Sequence, residues 1–322
     1  MKNKMNIKRY TIMVFIIVLM FAISGCKVIE DTSEKISQLD ADMDKKVSYT
    51  QSLKGFDEIE LHVNLTVSEV KIQYSDDDEI QFNQKSNRDE LLAKQMVDEV
   101  GDTLKITYEN EGTIKIISGS QRSEASIAIP KGTKLRIISN VDVGDMLLNL
   151  DELNLLELEI TTNVGKIQIE SEGDQKSLSY VKATTNVGEV GIVFDGDMNA
   201  LEKLILSADT GSVSANLNGM YKEKLDVDAS TNVGEVNLVF KGDFNQSLVC
   251  AAQTDVGGVT IEVPENHEIK VEAKTSEFTS NFEIKDMSFT KSKSSYLIEG
   301  DLPLIEINLD VSVGDALLKY SK

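Results

Sequence analysis

The residues able to do chemistry in this chain are few and far apart. His62 and His267 each stand alone beside runs that alternate apolar and polar residues. A hydroxyl or thiol nucleophile needs a base within hydrogen-bond reach and a third group to orient it. Cys250 has no histidine near it in sequence, and nothing resembles a nucleophile elbow, so no catalytic residue is assigned. Both histidines read as surface or half-buried strand residues. Asp195-Gly196-Asp197-Met198-Asn199 opens like a calcium loop, with oxygens at its first, third and fifth positions. Ala200 and Leu206 then stand where such a loop requires glycine and glutamate, and Lys241-Gly242-Asp243-Phe244-Asn245 repeats the stretch without its first carboxylate. Both stretches read as turns, and the run Asp76-Asp77-Asp78-Glu79 as a solvated acidic loop. No metal and no cofactor is assigned.

The element that must position all these residues is a repeat. Thr161–Ile167 reads TTNVGKI, Thr184–Val190 reads TTNVGEV and Ser230–Val236 reads STNVGEV. The glycines of the motif and its weaker copies are Gly144, Gly165, Gly188, Gly211, Gly234 and Gly257, at separations of 21, 23, 23, 23 and 23 residues, with a late copy at Gly314. A fixed period of this size marks a repeat architecture. Two residues before each glycine stand Asp142, Asn163, Asn186, Asp209, Asn232 and Asp255. Met, Ile or Val stands two residues after it and Leu, Ile or Ala four after it, the alternation of a strand with one buried face. A second apolar column, Leu158, Val181, Leu204, Val227 and Cys250, lies seven residues before the glycine, and a further step reaches Ala273.

Each unit therefore holds two short strands joined at an Asx-Val-Gly corner. Antiparallel hairpins would set unlike residues opposite one another. A parallel coil sets each residue on its own copy, Val on Val and Asx on Asx in a hydrogen-bonding ladder. The expected fold is all-β: a single-stranded parallel β-solenoid with rungs of about 23 residues, two strands per rung. The twelve Asx and glycine positions named above form its turn ladder. Glu189 and Glu235, a conceivable acid/base pair, then lie two rungs apart, roughly 10 Å, with Ser212 between them. Nothing in their setting suggests desolvation, and the chain has no Trp to flank a sugar.

Residues 54–130 read as an irregular N-terminal part, 131–262 as the regular repeats, and 263–322 as degenerate C-terminal rungs and a cap. Val67-Ser68-Glu69-Val70 copies the corner with serine for glycine. Leu91, Leu92, Met96, Val97 and Val100 fall at helical spacing before Gly101, which predicts a small helical insertion near residues 87–100. Residues 26–53 are polar and read as a tether, with Ile36, Leu39, Met43 and Val47 at the spacing of a short amphipathic helix.

The N-terminus reads as an export signal over residues 1–25: Lys2, Lys4, Lys8 and Arg9, a short apolar run from Thr11 to Ala22, then Ile23-Ser24-Gly25-Cys26. Those last four residues resemble the lipobox of bacterial lipoproteins, which implies cleavage before Cys26 and its lipidation. The alternative is an ordinary signal peptide or an uncleaved anchor. A diacylglyceryl group would supply two acyl chains, enough for stable anchoring. The mature chain would carry 29 basic against 54 acidic side chains, a formal net charge of −25. Such a surface excludes nucleic acid as a partner. With Cys26 committed to lipid, no intramolecular disulfide remains.

The repeated strand, Asx-Val-Gly corner, acidic residue and strand, with Ile129-Pro130-Lys131-Gly132 before the first strong copy, resemble the bacterial "putative adhesin" domain family over roughly Phe56 to Tyr320. The resemblance implies an exported or membrane-linked β-strand repeat protein and carries no binding residue with it. The expectation is a non-catalytic lipoprotein on the extracytoplasmic face of the cell membrane. Its partners would be the membrane, through the lipid, and an envelope protein or a glycan ligand. The alternatives are an accessory sensor or scaffold in envelope-stress signalling and, third, a carbohydrate-active enzyme.

Overall fold

The structure, a computed structural model, describes residues 43–111, 121–275, 280–285, 290–292, 295–298 and 303–321. Cys26 lies outside them. In chain order the first strands are β1 (Lys45–Ser52), β2 (Glu58–Val67), β3 (Glu69–Ser75), β4 (Glu79–Ser86), β5 (Lys94–Val100), β6 (Thr103–Glu109), β7 (Ser123–Pro130), β8 (Lys134–Val143), β9 (Met146–Asn149), β10 (Asn154–Val164) and β11 (Ile167–Ser171). There follow β12 (Tyr180–Phe194), β13 (Lys203–Leu217), β14 (Met220–Tyr221), β15 (Leu225–Phe240), β16 (Asp243–Phe244), β17 (Ser247–Val263), β18 (Glu268–Thr275), β19 (Ser280–Lys285), β20 (Thr290–Ser292), β21 (Ser295–Ile298) and β22 (Leu304–Tyr320).

The regular repeats stack in parallel and in register. Leu158 pairs with Val181, Val181 with Leu204, Leu204 with Val227 and Val227 with Cys250. All five are buried, so alternation along the strand becomes a continuous apolar column across the rungs. From β12 onward the strand continues through the corner, so each middle rung is one bent strand rather than two short ones. The rung that is two residues short closes its far corner on Glu152, which adopts φ 59°, and takes a bulge between Leu155 and Glu157.

The corner glycines are required by space as well as by dihedral angle. Gly188 has φ 148°. A Cβ built on it would overlap the carbonyl of Gly165 one rung away, 2.7 Å from the carbonyl carbon and closer still to the oxygen. The same holds for Gly211 over Gly188, Gly234 over Gly211, Gly257 over Gly234 and Gly314 over Gly257. Serine stands in the corner slot at position 68, beside the outer rung whose strands β6 and β7 end at Glu109 and begin at Ser123. There Ser68 Oγ meets Ser123 Oγ at 3.3 Å.

Both ends depart from chain order. β2 and β3 form the second rung and β6 and β7 the first, so the chain lays down the inner rung before the outer one. At the other end β22 inserts between β17 and the β18–β19 rung. Gly314 thus stacks directly on Gly257, although 57 residues separate them, and Ser280 sits in the next corner slot. The expected step from Cys250 to Ala273 is corrected. Cys250 pairs with Ile307, and Ile307 with Val271, while Ala273 pairs with Leu309.

Two further expectations are overturned. Near residues 87–100 there is no α-helix: a single 3₁₀ turn, Asp89–Leu91, leads into β5, which pairs antiparallel with β6. Leu91 is buried, but Met96, Val97 and Val100 are exposed, so the helical spacing matched no buried stripe. Pairing to β6 supplies the backbone hydrogen bonds that a helix would have supplied. The tether does not extend to residue 53. β1 pairs antiparallel with β4, and Tyr49 donates its hydroxyl to the Ala93 carbonyl at 3.1 Å while stacking at 6.2 Å on Tyr108. Residues 47, 49 and 51 alternate inward, a strand period that the spacing of Met43 and Val47 masked.

Gly191 supplies a test of the close approach. A Cβ there would meet only ordinary contacts, 3.4 Å from Ser214 Oγ. Gly188→Ala should cost about 2–4 kcal/mol through overlap and strain, whereas Gly191→Ala, three residues along the same strand, should be close to neutral. Equal denaturation midpoints for the two would contradict the packing. Cys250 is buried, and burial pushes its thiol pKa up. In a Cys26→Ser background a thiol reagent should label Cys250 only after denaturant is added.

Candidate functional site

The corner presents repeating columns to solvent. Asn163 donates through Nδ2 to Asp142 Oδ1 at 2.9 Å, Asn186 to Asn163 Oδ1 at 3.1 Å and Asn232 to Asp209 Oδ1 at 3.4 Å. An amide can accept from one rung and donate to the next, whereas a carboxylate only accepts. Asp142 and Asp209 are therefore the starting points of two runs, and the donor chain breaks between Asn186 and Asp209. Asp255, one rung beyond Asn232, is exposed at the same corner. The expected ladder exists, in segments set by where Asp replaces Asn.

Beside it runs a valine ridge. Val164, Val187, Val233 and Val313 are 43–49% exposed. Thr210 interrupts the ridge and is also exposed. Beyond the glycines come Asp145, Lys166, Glu189, Ser212, Glu235, Gly258 and Asp315. Lys166 Nζ reaches Glu189 at 3.7 Å, so Glu189 is partnered along the stack rather than with Glu235. Apolar ridge, amide column and charged column offer a repeated recognition surface and no reacting atom.

Beneath the surface lies a threonine column that the sequence reading missed. Thr162, Thr185, Thr231 and Thr254 are buried, and each hydroxyl donates to the glycine carbonyl of the preceding rung: Gly144, Gly165, Gly211 and Gly234, at 3.0–3.4 Å. Ala208 occupies the slot before Gly211, and Val141 and Val311 those before Gly144 and Gly314. The residue three before each glycine carried this signal, in the repeated Thr of TTNVG and STNVG.

The second corner is structural. Asp151 Oδ1 accepts from the N–H groups of Glu172 and Gly173 at 2.8 and 3.0 Å, Asp174 Oδ1 from Asp197 N at 3.1 Å, and Asp197 Oδ1 from Met220 N at 2.9 Å. Within the calcium-like stretch the Asp197 carboxylate thus ties one rung's turn to the next. Among the described residues no three acidic, histidine or cysteine side chains converge as a metal site. Gln175, Met198, Tyr221, Phe244 and His267 stack at this corner, also 23 residues apart. Tyr221 and Phe244 stack at 4.8 Å between centroids.

His267, expected at the surface or half-buried in a strand, is buried at the end of this column, in the turn before β18. Its Nε2 accepts the Phe244 N–H at 3.3 Å, and Nδ1 lies 2.9 Å from Asn266 Oδ1, which fixes the neutral tautomer with hydrogen on Nδ1. His62 is half-buried in β2 and hydrogen-bonds Glu60, which with Lys105 at 3.3 Å holds that carboxyl below its ordinary range. Among the described residues no serine, threonine or cysteine hydrogen-bonds either histidine.

Against known proteins, the family model described as Toastrack DUF4097 matches residues 56–301. Among solved structures, a "putative cell adhesion protein" from Clostridium sporogenes is 14% identical, with 86% of this chain and 99% of that one covered and a TM-score of 0.38. A "putative adhesin" from Bacteroides fragilis is 13% identical, covering 85% and 97%, with a TM-score of 0.38. One from Parabacteroides distasonis is 13% identical, covering 86% and 97%, with a TM-score of 0.39. No curated protein sequence matches the chain.

Burial holds the His267 imidazole below its ordinary pKa. The unfolded chain therefore takes up the proton first. Stability from neutral His267 is complete above the unfolded value near 6.5 and is lost as pH falls through the lower folded value. His267→Gln should be less stable than wild type at pH 7.5, and the gap in melting temperature should narrow by pH 5. A gap independent of pH would contradict the buried neutral ring.

Proposed function

The chain belongs to the Toastrack DUF4097 family, and on that premise we propose that it is a non-catalytic interaction module, adhesin-like, held at the extracytoplasmic face of the membrane by lipid on Cys26. The observation that carries the reading is the corner ladder: exposed valines beside hydrogen-bonded amides, recurring on most rungs and interrupted at Asp209 and Thr210. Monomeric proteins rarely display contiguous apolar residues without a partner to cover them. A repeating surface suits an envelope protein or glycan that offers the same contact many times, so that weak single contacts add up through multivalency. Catalysis has less support, because the corner carboxylates are exposed or tied to neighbouring rungs.

Anchoring and recognition are separable in experiment. Cys26→Ser should move the protein from the detergent phase to the soluble or precursor fraction. Unchanged partitioning, with N-terminal sequencing to exclude retention of the apolar segment, would contradict lipidation. For recognition, Val187→Lys with Val233→Lys alters exposed side chains only. The double variant should keep the wild-type melting temperature yet lose at least about tenfold in co-sedimentation with isolated envelopes. Envelope binding equal to wild type would remove the ridge from the account.

A further inference from the structure

One trough elsewhere on the molecule has a chemistry unlike the rest of the surface. β1, β4, β7 and β3 lie side by side, the first three antiparallel and the last pair parallel. Their outward side chains form two rows across the strands. Ser48, Asn83, Ser126 and Lys71 are in register in one row, and Lys46, Lys85, Glu124 and Glu69 in the other. The short side chains make a floor and the long ones make walls, enclosing a trough of about 570 Å³. That volume lies within the range of small-ligand sites, roughly 300–1,000 Å³.

Its charges are not those of a passive surface. The chain as a whole is formally −21, yet three lysines against two glutamates face this trough. Lys85 is paired to Glu124 at 2.6 Å, and Arg122 shares that carboxylate at 3.7 Å. Among the described residues Lys46 and Lys71 have no ion-pair partner. Lys46 also stands directly opposite Lys85, and like charges opposite each other across a pair of strands are unfavourable. Glu124 offsets part of that repulsion through Lys85, and an anion beside Lys46 would offset the rest. On the floor Ser48 Oγ donates to Asn83 Oδ1 at 2.7 Å, which leaves the Asn83 amide hydrogens and the Ser126 hydroxyl for a ligand. A ligand matching this trough bears a carboxylate or phosphate near the lysines and hydroxyls toward the floor.

We propose that this trough is a binding site for an acidic saccharide of about disaccharide size. Lys46 and Lys71, on the two outer strands, attract its charged group from either end of the trough, and Asn83 and Ser126 between them take its hydroxyls. The net charge of the chain repels such an anion, whereas the lysines of this trough attract it. No aromatic ring lines the trough, so affinity rests on solvent-exposed charge and hydrogen bonds. It should lie near millimolar and fall with salt.

The test is calorimetric titration of the intact protein in detergent with a uronic-acid disaccharide, a disaccharide phosphate, a neutral disaccharide and inorganic phosphate. Saturable binding of either acidic disaccharide, absent for the neutral one and weaker for inorganic phosphate, is expected; the acidic arm that binds more tightly identifies the charged group. Lys46→Gln with Lys71→Gln should weaken it at least about threefold, and Asn83→Leu should weaken it without changing the salt dependence. No binding of either acidic disaccharide would overturn the proposal. So would inorganic phosphate binding as tightly, or the lysine double variant binding as wild type does. If that variant fails to fold, the salt titration of unmodified protein decides, and salt-independent binding overturns the site. The site does not rest on the adhesion reading: loss of envelope co-sedimentation with acidic disaccharide binding intact would remove that reading and leave the trough.

Discussion

The structure depends on a contact that leaves no room for a single carbon atom. At the Asx-Val-Gly corner the backbone of one rung lies on the glycine carbonyl of the rung before it, where any other residue would place its Cβ. Glycine admits this approach and also takes the positive φ of the turn without penalty. Because the contact joins each corner glycine to the previous one, it fixes the register between rungs. Register in turn stacks Leu158, Val181, Leu204, Val227 and Cys250 into one core column and brings successive Asx amides within hydrogen-bond range. A slip of one residue would send every apolar side chain to the opposite face. The buried threonine hydroxyls, bonded to these same glycine carbonyls, reinforce the corner from inside.

The regular rungs were legible because identical residues at a fixed period admit essentially one stacking. The period alone placed the Cys250 sulfur in the core and the Asx amides in a ladder. It could not separate two reasons for glycine, since positive φ and lack of space leave the same letter in the chain. The ends were not legible for a different reason. β22 enters between β17 and β18, so spatial neighbours there are not sequence neighbours, and no period can extrapolate across an inserted rung. The segment at 87–100 misled because Leu91, Met96 and Val100 fit a helical stripe by spacing, while the free edge of β6 was available to pair. β1 was hidden in the same way, its strand alternation disguised by polar neighbours.

The candidate surfaces follow from this division. Regular rungs give columns and therefore a repetitive corner. The irregular N-terminal strands break the columns and produce a trough whose lysines stand against the charge of the whole chain. The trough was invisible in the sequence because Lys46, Lys71 and Lys85 belong to strands whose neighbours are decided by antiparallel pairing far along the chain. The second corner shows how a familiar spacing can mislead, since Asp197 sits where a rung-to-rung bond needs an acceptor.

In-register parallel stacking is tested most directly by a covalent bond between adjacent rungs. Thr161 and Thr184 pair across β10 and β12 with their hydroxyls 3.1 Å apart, within the reach of a disulfide. With Cys26 and Cys250 replaced by Ser and Ala, Thr161→Cys combined with Thr184→Cys should close a disulfide under mild oxidation of the native protein. Thr161→Cys combined with Lys182→Cys, two residues out of register, should stay reduced. Closure of the second pair and not the first would contradict the register on which the whole account stands.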